Sequence, residues 1–212
     1  MPKNHEDIVI TSAVRSPIGS YKGSLKDINA DVIGSECIKQ AIVRSKIDPS
    51  DVDEVIMGQV LTAGQGQNPA RQAAIKAGIP NTKPAHLVNQ VCGSGLRSII
   101  SGFQQIILND ANIIVSGGQE NMSRSHHSLF FRMDKKLNKE NLIDNMINDG
   151  LVDAFNRYHM GITAENVAQK FNVTRDQQDE FAYNSQIKTT KAIIPMINCA
   201  CNATSTIDTI YK

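Results

Sequence analysis

The stretch Ala85-His86-Leu87-Val88-Asn89-Gln90-Val91-Cys92-Gly93-Ser94-Gly95-Leu96 runs from an apolar segment into a cysteine, then a Gly-Ser-Gly turn, then a helical pattern. Ala85 to Val91 reads as a buried strand, and Leu96 to Leu108 as the helix that follows. The Cys92 sulfur therefore sits at a strand-to-helix turn beside a helix N-terminus. Unpaired backbone N–H groups and the helix dipole favour a thiolate at such a place. Gly93 and Gly95 allow a tight turn and leave room for a bulky group to approach. This is the layout of a nucleophile that receives an acyl group. Two other readings stand beside it. A lone cysteine also serves as a small buried hydrophobe. Gly93 to Ser98 also has the position of a dinucleotide fingerprint, but Ser98 stands where the third glycine belongs. The nearest acid, Glu120, lies beyond the next strand, so that match is weak.

Outward from this turn, strands and helices alternate. Ile8 to Thr11 is a short apolar strand, and Arg15 to Lys26, with Pro17, Gly19 and Gly23, is a long loop. Asn29 can cap a helix through Ser45 whose apolar stripe includes Val32, Ile33, Cys37, Ile38, Ala41 and Ile42. Val55-Ile56-Met57 is a second strand. Asn68-Pro69 starts a helix that Gly78 ends. Asn112 to Ser116 is a further strand, closed by Gly117-Gly118. Short, uniformly apolar strands alternating with helices indicate a largely parallel α/β sheet covered on both faces. Sites in such sheets gather at the carboxyl ends of strands, where both Cys92 and Glu120 fall.

The pattern changes after Glu120, which gives three segments. Residues 1–120 form the α/β domain. Residues 121–192 form a partial loop domain lying over the sheet, with helices opened by Thr163 and by Thr174, the latter with Gln177 in a capping box. Residues 193–212, with Pro195 and scattered Thr and Asn, are a divergent tail expected to be disordered.

Composition narrows the function classes. The 212 residues suffice for a real core, and the formal net charge of +1 gives no electrostatic case for nucleic acid or an anionic membrane. No apolar run is long enough to span a bilayer, and the polar start lacks a signal-peptide core, so a cytoplasmic protein is expected. The four cysteines, Cys37, Cys92, Cys199 and Cys201, match no zinc spacing and suit a reduced compartment. Cys37 reads as core. His126-His127 lacks a suitably spaced third ligand and reads as a surface loop, so no metal is expected.

Taken in order, these residues resemble the thiolase family, in particular the biosynthetic acetyl-CoA acetyltransferases. The resemblance is carried by Arg15-Ser16-Pro17-Ile18-Gly19, Val55 to Val60, Gly66-Gln67-Asn68-Pro69-Ala70-Arg71-Gln72-Ala73 and Asn89 to Gly95. It continues through Gly117 to Ser123, Gly150 to Phe155, Tyr158 to Asn166 and Thr174 to Phe181. It implies the N-terminal half of a thiolase-like αβαβα layered α/β fold with part of an inserted loop domain, the second half being absent. It also implies acyl transfer between acetyl-CoA molecules through an acyl-Cys92 intermediate, giving acetoacetyl-CoA, or the reverse thiolysis. Coenzyme A thioesters are then substrates, no further cofactor is needed, and a homo-oligomer is expected. Leu151, His159 and Met160 match residues lining the pantetheine and acyl end of the pocket. Glu120 matches a structural residue near the catalytic loop, and Arg71 one near a subunit contact.

The chain departs from the family in two ways. The Gly-His-Pro histidine, the Cys-x-Gly-Gly cysteine and the Asn-Glu-Ala-Phe stretch of the family's second half do not occur in it. His86, His126 and His127 have the wrong neighbours to replace that histidine. After Ala192, where relatives continue with an acidic segment and an Ile-Val-Pro-Val strand, only an echo remains in Ile193-Ile194-Pro195-Met196. The tail reads as out-of-frame or degenerated sequence of a truncated gene. Such a half would expose an apolar face and a sheet edge, and a non-catalytic fragment that binds coenzyme A or pairs with a complete thiolase is the alternative reading.

Overall fold

The computed structural model describes residues 8–130, 132, 141–198 and 207–211. They form β1 (Val9–Val14), α1 (Ala30–Ser45), β2 (Glu54–Gly58), α2 (Pro69–Lys76), β3 (Ala85–Val88), α3 (Ser94–Ile107) and β4 (Ile113–Gly118). Then come β5 (His127–Ser128), β6 (Ile143–Asp144), α4 (Met160–Lys170), α5 (Arg175–Asn198) and β7 (Ile207–Tyr211). The chain divides into two compact units, Met1–Met146 with Ala203–Lys212, and Ile147–Asn202. The division falls after Met146, where the composition change had placed it after Glu120.

The first unit is built on a five-stranded sheet of order β1-β7-β4-β2-β3. β2 runs parallel to both β3 and β4, and β7 runs antiparallel to both β1 and β4. Both faces of β2 and β4 are packed, as their uniformly apolar sequences require. Val55, Met57, Ile113 and Val115 point to one face and pack with Cys37, Ile38, Ala41 and Ile42 of α1 and the alanines of α2. Ile56 and Ile114 point to the other and pack with Ile106 of α3. Side chains alternate across a strand, so a strand covered by helices on both sides must be apolar at every position. Cys37 is fully buried, as its place on the α1 stripe indicated. Small residues let α2 lie close: Ala70, Ala73 and Ala74 are all buried.

The element boundaries hold most of the surprises. Asn29 takes the N-cap position of α1, but its side chain makes no capping hydrogen bond. Asn68 does cap α2, accepting from the Arg71 amide, with Pro69 at the first helical position. Strand β3 ends at Val88, three residues before the expected Val91, because Asn89 to Gly93 already turn toward α3. Helix α4 starts at Met160 with His159 as its N-cap, so Thr163 lies inside the helix and not at its start. The Thr174–Gln177 capping box is present, with the Thr174 amide donating to Gln177 Oε1 at 2.9 Å and the Gln177 amide to Thr174 Oγ1 at 3.3 Å. Helix α5 runs through Pro195 to Asn198. A proline removes one helical donor and crowds one carbonyl, which can kink a helix without ending it.

The tail shows the largest difference. Residues 193–212 were expected to be disordered, yet Ile207–Tyr211 is the strand between β1 and β4. Ile-Asp-Thr-Ile-Tyr is rich in residues that favour strands. The position it takes also supplies partners to two backbones whose N–H and C=O groups would otherwise face each other unpaired.

Candidate active site

The carboxyl ends of β2, β3 and β4 are laced together. The Gln59 amide donates to the Val88 carbonyl at 3.2 Å, and the Gln119 amide to the Gly58 carbonyl at 2.9 Å. Gln119 Nε2 donates to Gln59 Oε1 at 2.9 Å, and Gln59 Nε2 donates to Gln65 Oε1 at 2.8 Å. Glu120 Oε2 accepts from the amides of Val60 (2.8 Å) and Leu61 (3.2 Å). Desolvation raises the Glu120 pKa above its ordinary value, while those two amide bonds pull it the other way. Glu120 is an exposed residue overall. Its carboxylate, however, is engaged by strand-end backbone, and that is the end that ionises.

Helix α3 is seated on these strand ends through glycines. A Cβ on Gly58 would lie 2.4 Å from the Ser94 carbonyl carbon, 2.6 Å from its oxygen and 2.6 Å from the Gly95 nitrogen. On the neighbouring strand β4, a Cβ on Gly118 would lie 3.4 Å from the Gly95 Cα of α3. Ser98, fully buried in the same helix, donates to the carbonyls of Gly95 (2.7 Å) and Gly117 (2.8 Å). These contacts hold the first turn of α3 against β2 and β4.

Cys92 lies in the turn that joins β3 to this helix, and its thiol is free and exposed. The Gly93 amide donates to the Gln90 carbonyl at 3.0 Å, which makes Val91 and Cys92 the central residues of the turn. Val91 has a φ of +49°. That is left-handed backbone, rare for any residue with a Cβ and an outlier for a β-branched one, at a cost of about 1–3 kcal/mol. Hydrogen bonds hold it there. The Val91 amide donates to Asn89 Oδ1 at 2.9 Å. The Val91 carbonyl accepts from the Ser94 amide (3.1 Å) and from Ser94 Oγ (2.6 Å). Ser94 Oγ also accepts from the Gln90 amide at 2.8 Å. Arg97 Nε donates to Gln90 Oε1 at 2.6 Å. Sequence reasoning singled out Cys92 as a candidate but neither Val91 nor Ser94. Nothing in the apolar run marks Val91, and only Asn and Ser at turn positions hinted at the clamp.

The three other residues named from the sequence lie in the second unit, and the chain brings them together. Val152 and His159 form an antiparallel bridge, and the Asp153 amide donates to the Tyr158 carbonyl at 2.9 Å. Asp153 Oδ2 ties the intervening turn, accepting from the amides of Phe155 (3.1 Å) and Asn156 (2.5 Å). Those bonds, the Asn156 amide first, hold the Asp153 carboxylate pKa below its ordinary value. Leu151 and Met160 are half-buried, flanking the bridge, and His159 is exposed with Nδ1 accepting from the Gly161 amide at 3.0 Å.

The remaining histidines have other neighbours. His86 Nδ1 is 2.7 Å from Glu54 Oε1 at the amino ends of β2 and β3, the end of the sheet away from Cys92. His127 is in β5, its Nε2 3.7 Å from Asp144 Oδ2. The Arg71 guanidinium donates to the carbonyls of Lys83 and Asn81, and so ties α2 to the loop before β3.

A parallel-centred α/β sheet with a free cysteine at a strand-to-helix turn defines an α/β protein whose candidate site is a thiol. Residues 8–195 match the thiolase N-terminal domain family, and the chain belongs to that family. It is 52% identical over 180 residues to the acetyl-CoA acetyltransferase of Paracoccus denitrificans, covering 85% of this chain and 46% of that protein. It is 54% identical over 183 residues to the acetyl-CoA acetyltransferase of Cupriavidus necator, covering 86% and 47%. With the acetyl-CoA acetyltransferase of Pseudomonas aeruginosa it shares 52% identity over 189 residues, covering 89% and 48%. The chain thus spans about half the length of the curated relatives it matches. Among the described residues no helix is long and apolar enough to cross a membrane.

Proposed function

We propose that this chain is the acyl-accepting part of an acetyl-CoA C-acetyltransferase, with Cys92 as the nucleophile. The Cys92 sulfur attacks the thioester carbonyl of acetyl-CoA. A new carbon–sulfur bond forms to Cys92, the bond to the coenzyme A sulfur breaks, and the departing thiolate takes up a proton. A second acetyl-CoA gives up a methyl proton and its carbanion attacks the acetyl carbonyl; the carbon–sulfur bond to Cys92 breaks, the Cys92 sulfur takes up the proton, and acetoacetyl-CoA leaves. Thiolysis is the same sequence reversed. Leu151, His159 and Met160 line the pantetheine and acyl end of the pocket in this reading.

The observation that carries the proposal is the free, exposed thiol of Cys92 in a turn clamped at the start of α3. A buried hydrophobic cysteine would be shielded, as Cys37 is. A helix N-terminus also offers backbone N–H groups to developing negative charge. The names of the relatives support acetyl-CoA as the substrate.

The test is the intact mass of the purified protein after incubation with acetyl-CoA, with Cys92→Ser alongside. The expected result is one acetyl adduct in the parent and none in the variant. Folded parent protein without an adduct overturns the nucleophile reading. Stabilisation by coenzyme A in its place would favour a non-catalytic binding fragment, and stabilisation by a complete thiolase a pairing one.

A further inference from the structure

The conformational anomaly next to Cys92 is held by hydrogen bonds of the turn itself. Val91 is half exposed in this chain, and hydrogen bonds within the turn hold its backbone in the left-handed region. At the first central position of a turn, positive φ belongs to glycine, aspartate or asparagine. A valine there is stiff as well as strained, because two carbons on Cβ restrict both side chain and backbone. Strain of this kind persists only where the surroundings over-determine it. Here they do: Asn89 Oδ1 takes the Val91 amide, and Ser94 supplies its amide and its hydroxyl to the Val91 carbonyl. Ser94 is 4% exposed and is itself fixed, since its first helical turn is pressed onto Gly58. The clamp therefore links the strand ends to the backbone atoms on either side of the thiol. Each of its hydrogen bonds could be made around a glycine, which would relieve the strain. The valine removes the alternative backbone states that glycine would bring.

Resting on the reading of Cys92 as the nucleophile, we propose that Val91 and Ser94 are positioning residues. The left-handed backbone at Val91, locked by the Ser94 hydroxyl, fixes the direction in which the Cys92 sulfur meets a thioester. Neither side chain touches the reacting atoms. They act by denying the turn its other conformations, so that attack geometry is set before the substrate arrives.

The experiment compares the parent, Val91→Gly, Val91→Asn, Ser94→Ala and Ser94→Thr. Three quantities are measured on each. These are the rate of Cys92 acetylation by acetyl-CoA by intact mass, the rate of Cys92 alkylation by iodoacetamide by peptide mass, and the melting temperature. Val91→Gly is expected to keep or raise the melting temperature and to leave alkylation within about twofold, because a small reagent reaches an exposed thiol from many directions. Its acetylation is expected to fall by about tenfold or more. Asparagine accepts left-handed backbone with less strain than valine and more stiffness than glycine, so Val91→Asn restores most of the rate. Ser94→Thr keeps the hydroxyl and is expected to rescue what Ser94→Ala loses.

Acetylation at the parental rate in Val91→Gly overturns the positioning role and leaves the nucleophile reading intact. A parent that is alkylated but never acetylated removes both. Parallel loss of acetylation, alkylation and melting temperature in Val91→Gly would show a structural role only, and also overturns the proposal. Because Val91→Gly relieves strain, the test does not depend on whether Ser94→Ala folds.

Discussion

The turn around Cys92 and the turn around His159 are both closed by local hydrogen bonds, but only the first leads into a helix seated on the sheet. At Cys92, the turn's own hydrogen bonds are local, but the helix start that carries Ser94 is pressed onto Gly58, thirty-six positions away, beside strand ends joined by Gln119 to Gln59 and Glu120 to Val60. At His159, the bonds stay within nine residues: Asp153 to Asn156, Asp153 to Tyr158, His159 to Gly161 and Arg157 to Asn148. The first turn is set by the sheet beneath it and shares the sheet's stability. The second is set by its own sequence and can open without disturbing a core. A nucleophile gains from the first kind of support, because a rigid scaffold holds an attacking atom in place. Residues that line a pocket for a long flexible substrate can belong to the second.

The sharpest way to break this contrast is Gly58→Ala. The added Cβ would meet backbone atoms of Ser94 and Gly95 at 2.4–2.6 Å, and backbone cannot swing aside as a side chain can. Either β2 or the start of α3 must move. The expected loss is about 3 kcal/mol or more, at the upper end for overpacking. For a chain of this size that is a fall of roughly 6–12 °C in melting temperature. Amide exchange at Gly93 and Ser94 should quicken while exchange around Asp153 stays as it was. A parental melting temperature would show that α3 is not seated on β2.

How far the sequence discloses each turn follows from the same contrast. The αβ alternation, the two packed faces, the buried Cys37 and the place of Cys92 were legible because they depend on period and local turn chemistry. The capping box at Thr174 was legible for the same reason. The end of β3 at Val88 was not, since the apolar run continues to Val91 and only the clamp from Ser94 shows that the chain has already turned. The start of α4 was misread because a histidine nitrogen took the capping role expected of Thr163. Strand β7 was hidden for a third reason. Its place between β1 and β4 depends on two strands far away in sequence, and nothing in Ile207 to Tyr211 announces those partners.

Glu120 offers a gentler probe of the long-range turn. Its carboxylate is held on the amides of Val60 and Leu61, and burial raises its pKa above 4.5. The folded state therefore keeps the proton to higher pH than the unfolded chain. As pH rises from the ordinary value through the raised one, the unfolded state ionises first, and stability falls. Glutamine can still accept from both amides but has no proton to lose. Melting curves of the parent and Glu120→Gln, run from about pH 4.5 to 8, are expected to diverge with the variant gaining on the parent as pH rises. Parallel curves would mean that the carboxylate is hydrated in the folded state.

The smallest effect belongs to the local turn, and its sign is reversed. The amides of Asn156 and Phe155 hold the Asp153 carboxylate ionised, so its pKa lies below the ordinary 3.8. This contribution is present above that value and is lost as pH falls through the lowered one. Because Asp153 binds only its own turn, protonating it, or replacing it in Asp153→Ala, should free the amides of Phe155 and Asn156 and loosen the Val152–His159 bridge. Amide exchange in residues 152–161 is then expected to quicken, with the exchange of β2, β4 and α3 unchanged. Exchange that quickens in both units together would abolish the distinction, because it would make the His159 turn part of the same cooperative structure that carries Cys92. Unchanged exchange at Phe155 and Asn156 would mean instead that the Val152–His159 bridge, and not the carboxylate, closes the turn.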